Sequence, residues 1–162
     1  MSVKNLLRVS IESKQFPGSF LRLDGRGVNE FANSGAGVVN AQTRIGEWET
    51  FIIVNHPEDN TVSLLSAAFP NVYLRLDGHD VKSGQKYPRG AGVVNCQLGS
   101  HTYEKFRLVD QDDGSKAIAS VNFPNVYLRL ENEKNEGGNS GGGTVNCQSY
   151  IGTMEKFVIR VL

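Results

Sequence analysis

A net charge is missing from this sequence, because its 17 lysines and arginines are balanced by 17 aspartates and glutamates. A neutral surface produces no long-range field that would attract a polyanion such as DNA. We therefore expect no nucleic acid among the partners of this protein.

Long apolar runs are missing as well. No stretch approaches the roughly 18 uninterrupted apolar residues of a transmembrane helix, and residues 1–7 lack the apolar core of a secretory signal. These absences predict a protein that does not insert into membranes and that is cytoplasmic. Secretion by a leaderless route and secretion from a trimmed precursor both stay open.

Cysteine is scarce, with Cys96 and Cys147 as the two examples in the chain. Each lies in the string Val-Asn-Cys-Gln, and Ala41 occupies the matching position earlier in the sequence. A position that accepts alanine and cysteine is small and inward-facing, which predicts buried, reduced thiols. A disulfide is the alternative, whereas two cysteines cannot supply the four ligands of a structural zinc site.

Catalytic motifs are absent from the sequence. It contains no nucleophile elbow and no histidines at metal-ligand spacing, and its three histidines, His56, His79 and His101, are scattered among polar segments. We therefore expect a protein that is not an enzyme and that uses no cofactor and no metal.

A threefold internal repeat dominates what is present. The string Phe-Pro-Gly-Ser-Phe-Leu-Arg-Leu-Asp-Gly begins at Phe16 and returns in similar form at Phe69 and Phe123, at intervals of 53 and 54 residues. A glycine-led Val-Val-Asn string and a Glu-x-Phe string follow in each copy. The repeats span approximately residues 6–55, 60–110 and 115–162 of one domain that covers residues 1–162.

Each repeat contains four short runs of β-forming residues that are separated by turn residues. No stretch shows sustained helical spacing, so we expect helices to be limited to single turns. A propeller needs four to eight four-stranded blades, and three blades would not close. The sequence therefore predicts an all-β protein of 12 strands, a β-trefoil, in which three pseudo-symmetric repeats share one core.

The repeat resembles that of fascin-like β-trefoils through Tyr-Leu-Arg-Leu-Asp-Gly at residues 73–78, the glycine-led Val-Val-Asn, and Ile-Gly-Glu-Trp-Glu-Thr-Phe at residues 45–51. The Phe-Pro-x-x-Tyr-Leu-Arg strings at residues 69–75 and 123–129 are also similar to arabinose-binding trefoil modules. This resemblance implies a protein that either binds sugars or, like fascin, cross-links actin. Fold alone does not choose between these.

Acidic turns supply the first candidate ligand contacts. Asp24 and Asp77 each precede a glycine directly after a strand, where a carboxylate could accept sugar hydroxyls while an aromatic ring such as Trp48 stacks on the sugar. The structural alternative is that Asp-Gly simply forms a hairpin turn.

Repeated amides are the second set of candidates, namely Asn40, Asn95 and Asn146. Their side chains could contact a ligand, or they could satisfy backbone groups where the repeats meet. The variable loops between the second and third strands provide the third set, Phe31, His79 and Tyr87, because recognition groups are often placed on loops.

An arginine in each Leu-Arg-Leu run and the glutamate before each Glu-x-Phe phenylalanine are expected to form weak cross-strand ion pairs. As function, we predict a non-catalytic, lectin-like protein that binds a glycan at shallow sites repeated once per unit. An actin-binding or other protein-interaction trefoil is the alternative, and a protease inhibitor that acts through a loop is a third.

Overall fold

A computed structural model describes residues 6–162, so most of the N-terminal segment on which the export prediction rests lies outside the described residues. The twelve strands are β1 (Leu7–Ser13), β2 (Phe20–Asp24), β3 (Val38–Gln42), β4 (Phe51–His56), β5 (Thr61–Ser66), β6 (Val72–Asp77), β7 (Val93–Leu98), β8 (Phe106–Asp110), β9 (Lys116–Ser120), β10 (Tyr127–Glu131), β11 (Thr144–Gln148) and β12 (Phe157–Val161). Single 3₁₀ turns precede β4, β8 and β12, at Glu47–Glu49, Thr102–Glu104 and Thr153–Glu155. In residues 6–162, no helix has the length and hydrophobicity to cross a membrane.

Six of the strands form a closed barrel. Antiparallel pairs run around it in the order β1, β4, β5, β8, β9 and β12, and β12 pairs with β1 to complete the ring. Each repeat contributes its first and last strands to the barrel. The contacts between β4 and β5, β8 and β9, and β12 and β1 therefore join one repeat to the next.

The remaining strands form three hairpins, one per repeat: β2–β3, β6–β7 and β10–β11. Their registers match, because each places the first leucine of Leu-Arg-Leu opposite the small residue of the Val-Asn-x-Gln string. The pairs are Leu21 with Ala41, Leu74 with Cys96, and Leu128 with Cys147. The predicted 12-stranded β-trefoil is confirmed.

One hydrophobic core serves all three repeats. Phe51, Phe106 and Phe157, the first residues of β4, β8 and β12, are completely buried in a single cluster. Leucines of the three hairpins lie in the same cluster, as the alternation of the strands predicts. Because no repeat closes its own apolar face, the core exists only when the three units are together.

Neighbouring repeats are also joined by the loops between the second and third strands. Ala36 of the first repeat pairs with Cys96 of the second, Ala91 of the second pairs with Cys147 of the third, and Gly142 of the third pairs with Ala41 of the first. Gly37 and Gly92 follow two of these bridges with φ of 72°, and a side chain on either would contact a backbone carbonyl oxygen at 2.7–2.8 Å. Each repeat thus places a loop on the hairpin of the next repeat, in a cyclic order.

The prediction of buried, reduced cysteines is confirmed, because Cys96 and Cys147 are free thiols with no exposed surface. Burial raises the pKa of each thiol to about 12. A rise of this size from the ordinary value of 9.0 lowers the thiolate fraction about a thousandfold at a given pH.

We therefore expect both thiols to resist a disulfide reagent such as DTNB in native buffer at pH 8. The same protein in concentrated urea should react promptly and release two equivalents, which provides the control. Prompt reaction of either thiol in the native protein would contradict this prediction.

Candidate functional site

Three equivalent surface pockets lie where one repeat meets the next. We define the first pocket by Arg22, Gln42, Trp48, Glu49 and Asn139. The second pocket contains Arg75, Gln97, Tyr103, Glu104, Asn33 and Phe31. The third contains Arg129, Gln148, Met154, Glu155 and Pro88. In each pocket the arginine, the glutamine and the turn residues come from one repeat, while Asn139, Asn33 or Pro88 comes from the preceding repeat in the cycle.

A buried arginine forms the floor of each pocket. Arg22, Arg75 and Arg129 are only 2–3% exposed. Each donates a hydrogen bond from Nη1 to an asparagine of the paired strand, to Asn40 (3.1 Å), Asn95 (3.2 Å) and Asn146 (3.2 Å) respectively. The expectation that these arginines form weak, solvent-screened ion pairs is therefore wrong, because the guanidinium groups are buried. The loop of the neighbouring repeat covers the face of the hairpin that would otherwise meet solvent.

A buried glutamate lies beside the arginine in each pocket. Glu49, Glu104 and Glu155 end the 3₁₀ turns, and their Oε1 atoms accept hydrogen bonds of 2.7–2.8 Å from the backbone N–H groups of Gly46, His101 and Gly152. In the first and third pockets, Oε2 of the glutamate lies 3.9 Å from Nε of the arginine. The partners are thus on a turn rather than on a neighbouring strand.

Burial raises the pKa of Glu104 and of Glu155, because it disfavours the charged carboxylate. The backbone hydrogen bond from His101 or Gly152 opposes this rise in the two cases. The pocket floor therefore combines hydrogen-bond donors and acceptors in a partly desolvated environment, which is where polar contacts fix the orientation of a small ligand.

A glutamine clamps the loop of the neighbouring repeat against each pocket. Gln97 donates from Nε2 to the carbonyl oxygen of Ala32 (2.6 Å) and accepts from the backbone N–H of Ala32 at Oε1 (3.1 Å). Gln148 makes the same pair of bonds with Tyr87, whereas Gln42 donates to the carbonyl oxygen of Gly138 at 2.9 Å. These amides hold the walls in place.

Aromatic residues line the first two pockets and not the equivalent position of the third. The ring of Trp48 lies 4.8 Å from the Arg22 guanidinium carbon, and the ring of Tyr103 lies 5.0 Å from that of Arg75. Met154 takes this position in the third pocket. The second pocket has a further ring in its lining, that of Phe31. Phe31 is 56% exposed and packs edge-on against His101, with 5.2 Å between the ring centres.

Of the nine residues predicted to contact a ligand, Trp48 and Phe31 line the pockets. The three asparagines lie beside the floor and serve the fold. Besides accepting from arginine, they donate from Nδ2 to loop carbonyl oxygens of the neighbouring repeat at 2.9 Å, at Ser140, Ser34 and Arg89. They bridge repeats, as the structural alternative states.

The two aspartates form turns next to the arginines. Asp24 accepts from the backbone N–H of Arg26 at 3.1 Å, and Asp77 accepts from that of His79 at the same distance. Hydrogen bonding from the Arg26 side chain lowers the pKa of Asp24. Partial burial raises the pKa of Asp77, but hydrogen bonds from His79 outweigh burial and leave it lowered. In return, the bond to Asp77 raises the pKa of His79.

His79 and Tyr87 are not brought into the pockets as stacking groups. His79 is exposed and bonded to Asp77. The Tyr87 hydroxyl accepts from the backbone N–H of Lys82 at 2.8 Å and donates to the carbonyl oxygen of Asp80 at 3.2 Å, while its ring packs against the core. A ligand-binding role for either residue stays a prediction.

Sequence reasoning missed the arginine, glutamate and glutamine of each floor as site residues, although it identified their repetition. It also missed Asn139, Asn33 and Pro88, which approach from another repeat. The signal that could have located the floor is the recurrence, in every copy, of one arginine and one glutamine on otherwise apolar strands and of one glutamate just before the last strand. Among residues 6–162, no group of three or more histidine, cysteine or acidic side chains is arranged to hold a metal.

No protein-family model and no curated protein sequence matches this chain. Solved structures with a similar fold include a mosquitocidal holotoxin, with a TM-score of 0.70 and 14% identity over 98% of this chain. The chain corresponds to only 17% of the length of that toxin.

Two further structures match over nearly their whole length. ThreeFoil, a designed threefold symmetric protein, has a TM-score of 0.69 and 18% identity over 96% of this chain and 99% of its own. The C-half of an earthworm R-type lectin, solved in complex with GalNAc, has a TM-score of 0.58 and 11% identity over 96% of this chain and 99% of its own. At these identities the likeness concerns the fold, and the chain is a β-trefoil protein.

Proposed function

We propose that this protein is a non-catalytic, carbohydrate-binding trefoil that holds saccharides in the inter-repeat pockets. The observation that carries the proposal is the second pocket, where Phe31 and Tyr103 lie beside a buried polar floor of Arg75, Gln97 and Glu104. Sugars present an apolar C–H face and a rim of hydroxyl groups. Rings next to charged hydrogen-bonding groups suit both parts of such a ligand.

The fold comparison supports this proposal at a coarse level. The earthworm lectin with its bound GalNAc has the same trefoil architecture. Repetition of the pocket also fits a lectin, because weak sites on one molecule gain avidity on a ligand with several sugar groups.

Removal of the rings is expected to abolish most of this binding. Phe31→Ala and Tyr103→Ala should each lower the affinity for a sugar identified on a glycan array by at least about tenfold, or about 1.4 kcal/mol. The measurement is a titration followed by amide shifts in ¹H–¹⁵N spectra. Leu162→Ala is the matched control, because Leu162 has the same exposed fraction as Phe31, 56%, and does not line the second pocket.

Absence of binding to every sugar on the array at millimolar sensitivity would contradict the proposal. The same preparation should then be co-sedimented with actin filaments, since pelleting without sugar binding would favour the fascin-type alternative that the sequence resemblance predicts.

A further inference from the structure

The first pocket differs from the other two in what its buried arginine binds. Nη2 of Arg75 donates to the carbonyl oxygen of Asn33 at 3.1 Å, and Nη2 of Arg129 donates to the carboxylate of Glu131. Nη2 of Arg22 makes no hydrogen bond within residues 6–162. Its nearest carboxylate oxygen is Oδ2 of Asp24 at 3.9 Å.

That aspartate is already occupied. Arg26 donates to Asp24 from Nε at 3.0 Å and from Nη2 at 2.8 Å. Arg22 is 2% exposed and lines the pocket, and its Nη2 keeps some solvent contact, so this donor is available to a ligand in the cavity. A guanidinium N–H without an acceptor favours an anionic acceptor over a neutral one. Hydrogen bonds between charged groups are stronger than neutral ones, and a low local dielectric strengthens them further.

The wall of the first pocket also differs from the other two, and the pocket is larger. The third repeat contributes Gly137 and Gly138, where the equivalent loop positions of the first repeat hold Phe31 and Ala32 and those of the second hold Lys86 and Tyr87. The first pocket has a volume of about 270 Å³, compared with about 150 Å³ and about 120 Å³ for the second and third. The glycines leave the first pocket without a counterpart of the Phe31 ring that lines the second.

Two arginines, Arg22 and Arg44, and two glutamates, Glu47 and Glu49, line the first pocket, and both glutamates lie near an arginine other than Arg44. Glu47 pairs with Arg8 at 3.3 Å, Asp24 with Arg26, and Glu49 lies 3.9 Å from Arg22. Arg44 lines the same pocket, is exposed, and forms no ion pair in the described part of the chain. The lining as a whole is neutral, but the guanidinium of Arg44 has no carboxylate partner among the described residues and is available to an anion in the pocket that Trp48 lines.

We propose that the first pocket binds the anionic group, a carboxylate or a sulfate, of an acidic saccharide. Nη2 of Arg22 and the guanidinium of Arg44 donate to the anion, and the sugar ring lies against Trp48. This inference rests on the proposed carbohydrate-binding function. It assigns a different ligand to each pocket: the second pocket binds a neutral sugar residue, and the first binds an acidic sugar residue.

Trp48 is the single tryptophan of the chain, so its fluorescence reports directly on the first pocket. The test titrates the protein with galactose, galacturonic acid and galactose 6-sulfate, and with the same three forms of glucose. At low ionic strength, we expect an acidic form to change the Trp48 emission and to bind at least about tenfold tighter than its neutral parent. Added salt should reduce this preference.

Arg44→Gln is the informative variant, because Arg44 is exposed and its replacement leaves the buried floor intact. It should reduce the preference for the acidic form by about fivefold or more while neutral sugars bind the second pocket unchanged. Arg107→Gln, which removes an equal charge from an exposed position on β8 outside this pocket, should leave the preference unchanged.

Three outcomes would overturn the inference: equal binding of acidic and neutral sugars at Trp48, no loss of preference in Arg44→Gln, or inorganic sulfate binding as tightly as the sulfated sugar. Neutral sugars that shift amides of the second pocket while no acidic sugar affects Trp48 would defeat this inference alone. Failure of every sugar at both pockets would defeat the proposed function with it.

Discussion

Arg129→Met is expected to lower the free energy of unfolding by about 3–5 kcal/mol, the cost of leaving a buried charge without its partner. Arg129 is 2% exposed, donates to Asn146 and Glu131, and lies 3.9 Å from Glu155. Without the guanidinium, the Glu155 carboxylate stays buried and keeps only its backbone hydrogen bond from Gly152. Urea unfolding followed by circular dichroism measures the loss.

The loss should depend on pH with a definite sign. Burial already raises the folded-state pKa of Glu155 above its ordinary value of 4.5, and removal of the adjacent cation raises it further. A raised acid pKa means that the folded state binds more protons than the unfolded state. The free energy of unfolding of the variant should therefore rise as the pH falls through that raised pKa, and it should be lowest at a pH above it.

Arg160→Met provides the control for this experiment. Arg160 pairs with Glu12, but its side chain is 58% exposed, so solvent screens the interaction. An exposed pair contributes about 0–1 kcal/mol. If the two substitutions cost the same, the floor of the pocket is not the buried, charged structure described above.

Phe106→Ala is expected to destabilise the protein by about 3–5 kcal/mol, because it removes a completely buried ring and leaves a cavity. Phe51→Ala and Phe157→Ala should cost the same within about 1 kcal/mol, since the three rings start equivalent strands and are buried to the same extent in one cluster. Guanidinium unfolding of the three variants, compared at equal protein concentration, measures each loss.

An exposed ring is the control for the core series. Phe31→Ala should change stability by no more than about 0.5 kcal/mol, because Phe31 is more than half exposed. A core substitution that proved harmless, or one that unfolded a single repeat while the others persisted, would contradict a core shared by all three units.

The floor and the walls of each pocket have different expected roles. The arginine, glutamate and glutamine of each floor hold hairpin, turn and loop together, so their replacement affects stability and binding at once. The walls vary from pocket to pocket: Trp48 with Arg44, Phe31 with Tyr103, and Met154 with Pro88. Differences in ligand preference among the pockets are therefore expected to follow the walls.

The repeat by itself determined the architecture. Three copies of a four-strand pattern, each with one apolar face too small to bury alone, leave a shared core as the stable solution, and one cluster with side chains from all three repeats is found. Buried cysteines followed from the alanine at the equivalent position, because that exchange reports the size of a site without knowledge of its neighbours.

The tertiary structure decided which outward-facing side chains are covered, and so where the candidate site lies. Strand alternation assigns Arg22 to the face opposite its leucines, but a loop from another repeat covers that face. The carbonyl oxygen of Ser140 in this loop accepts a hydrogen bond from Asn40, which lies beside Arg22 and is 100 residues away from Ser140 in sequence. Such contacts depend on loops that differ among the copies. The sequence therefore determined three equivalent positions. Long-range packing gave the first of them more space and an arginine without an ion pair in the part of the chain that the structure describes, and it gave the second two aromatic rings.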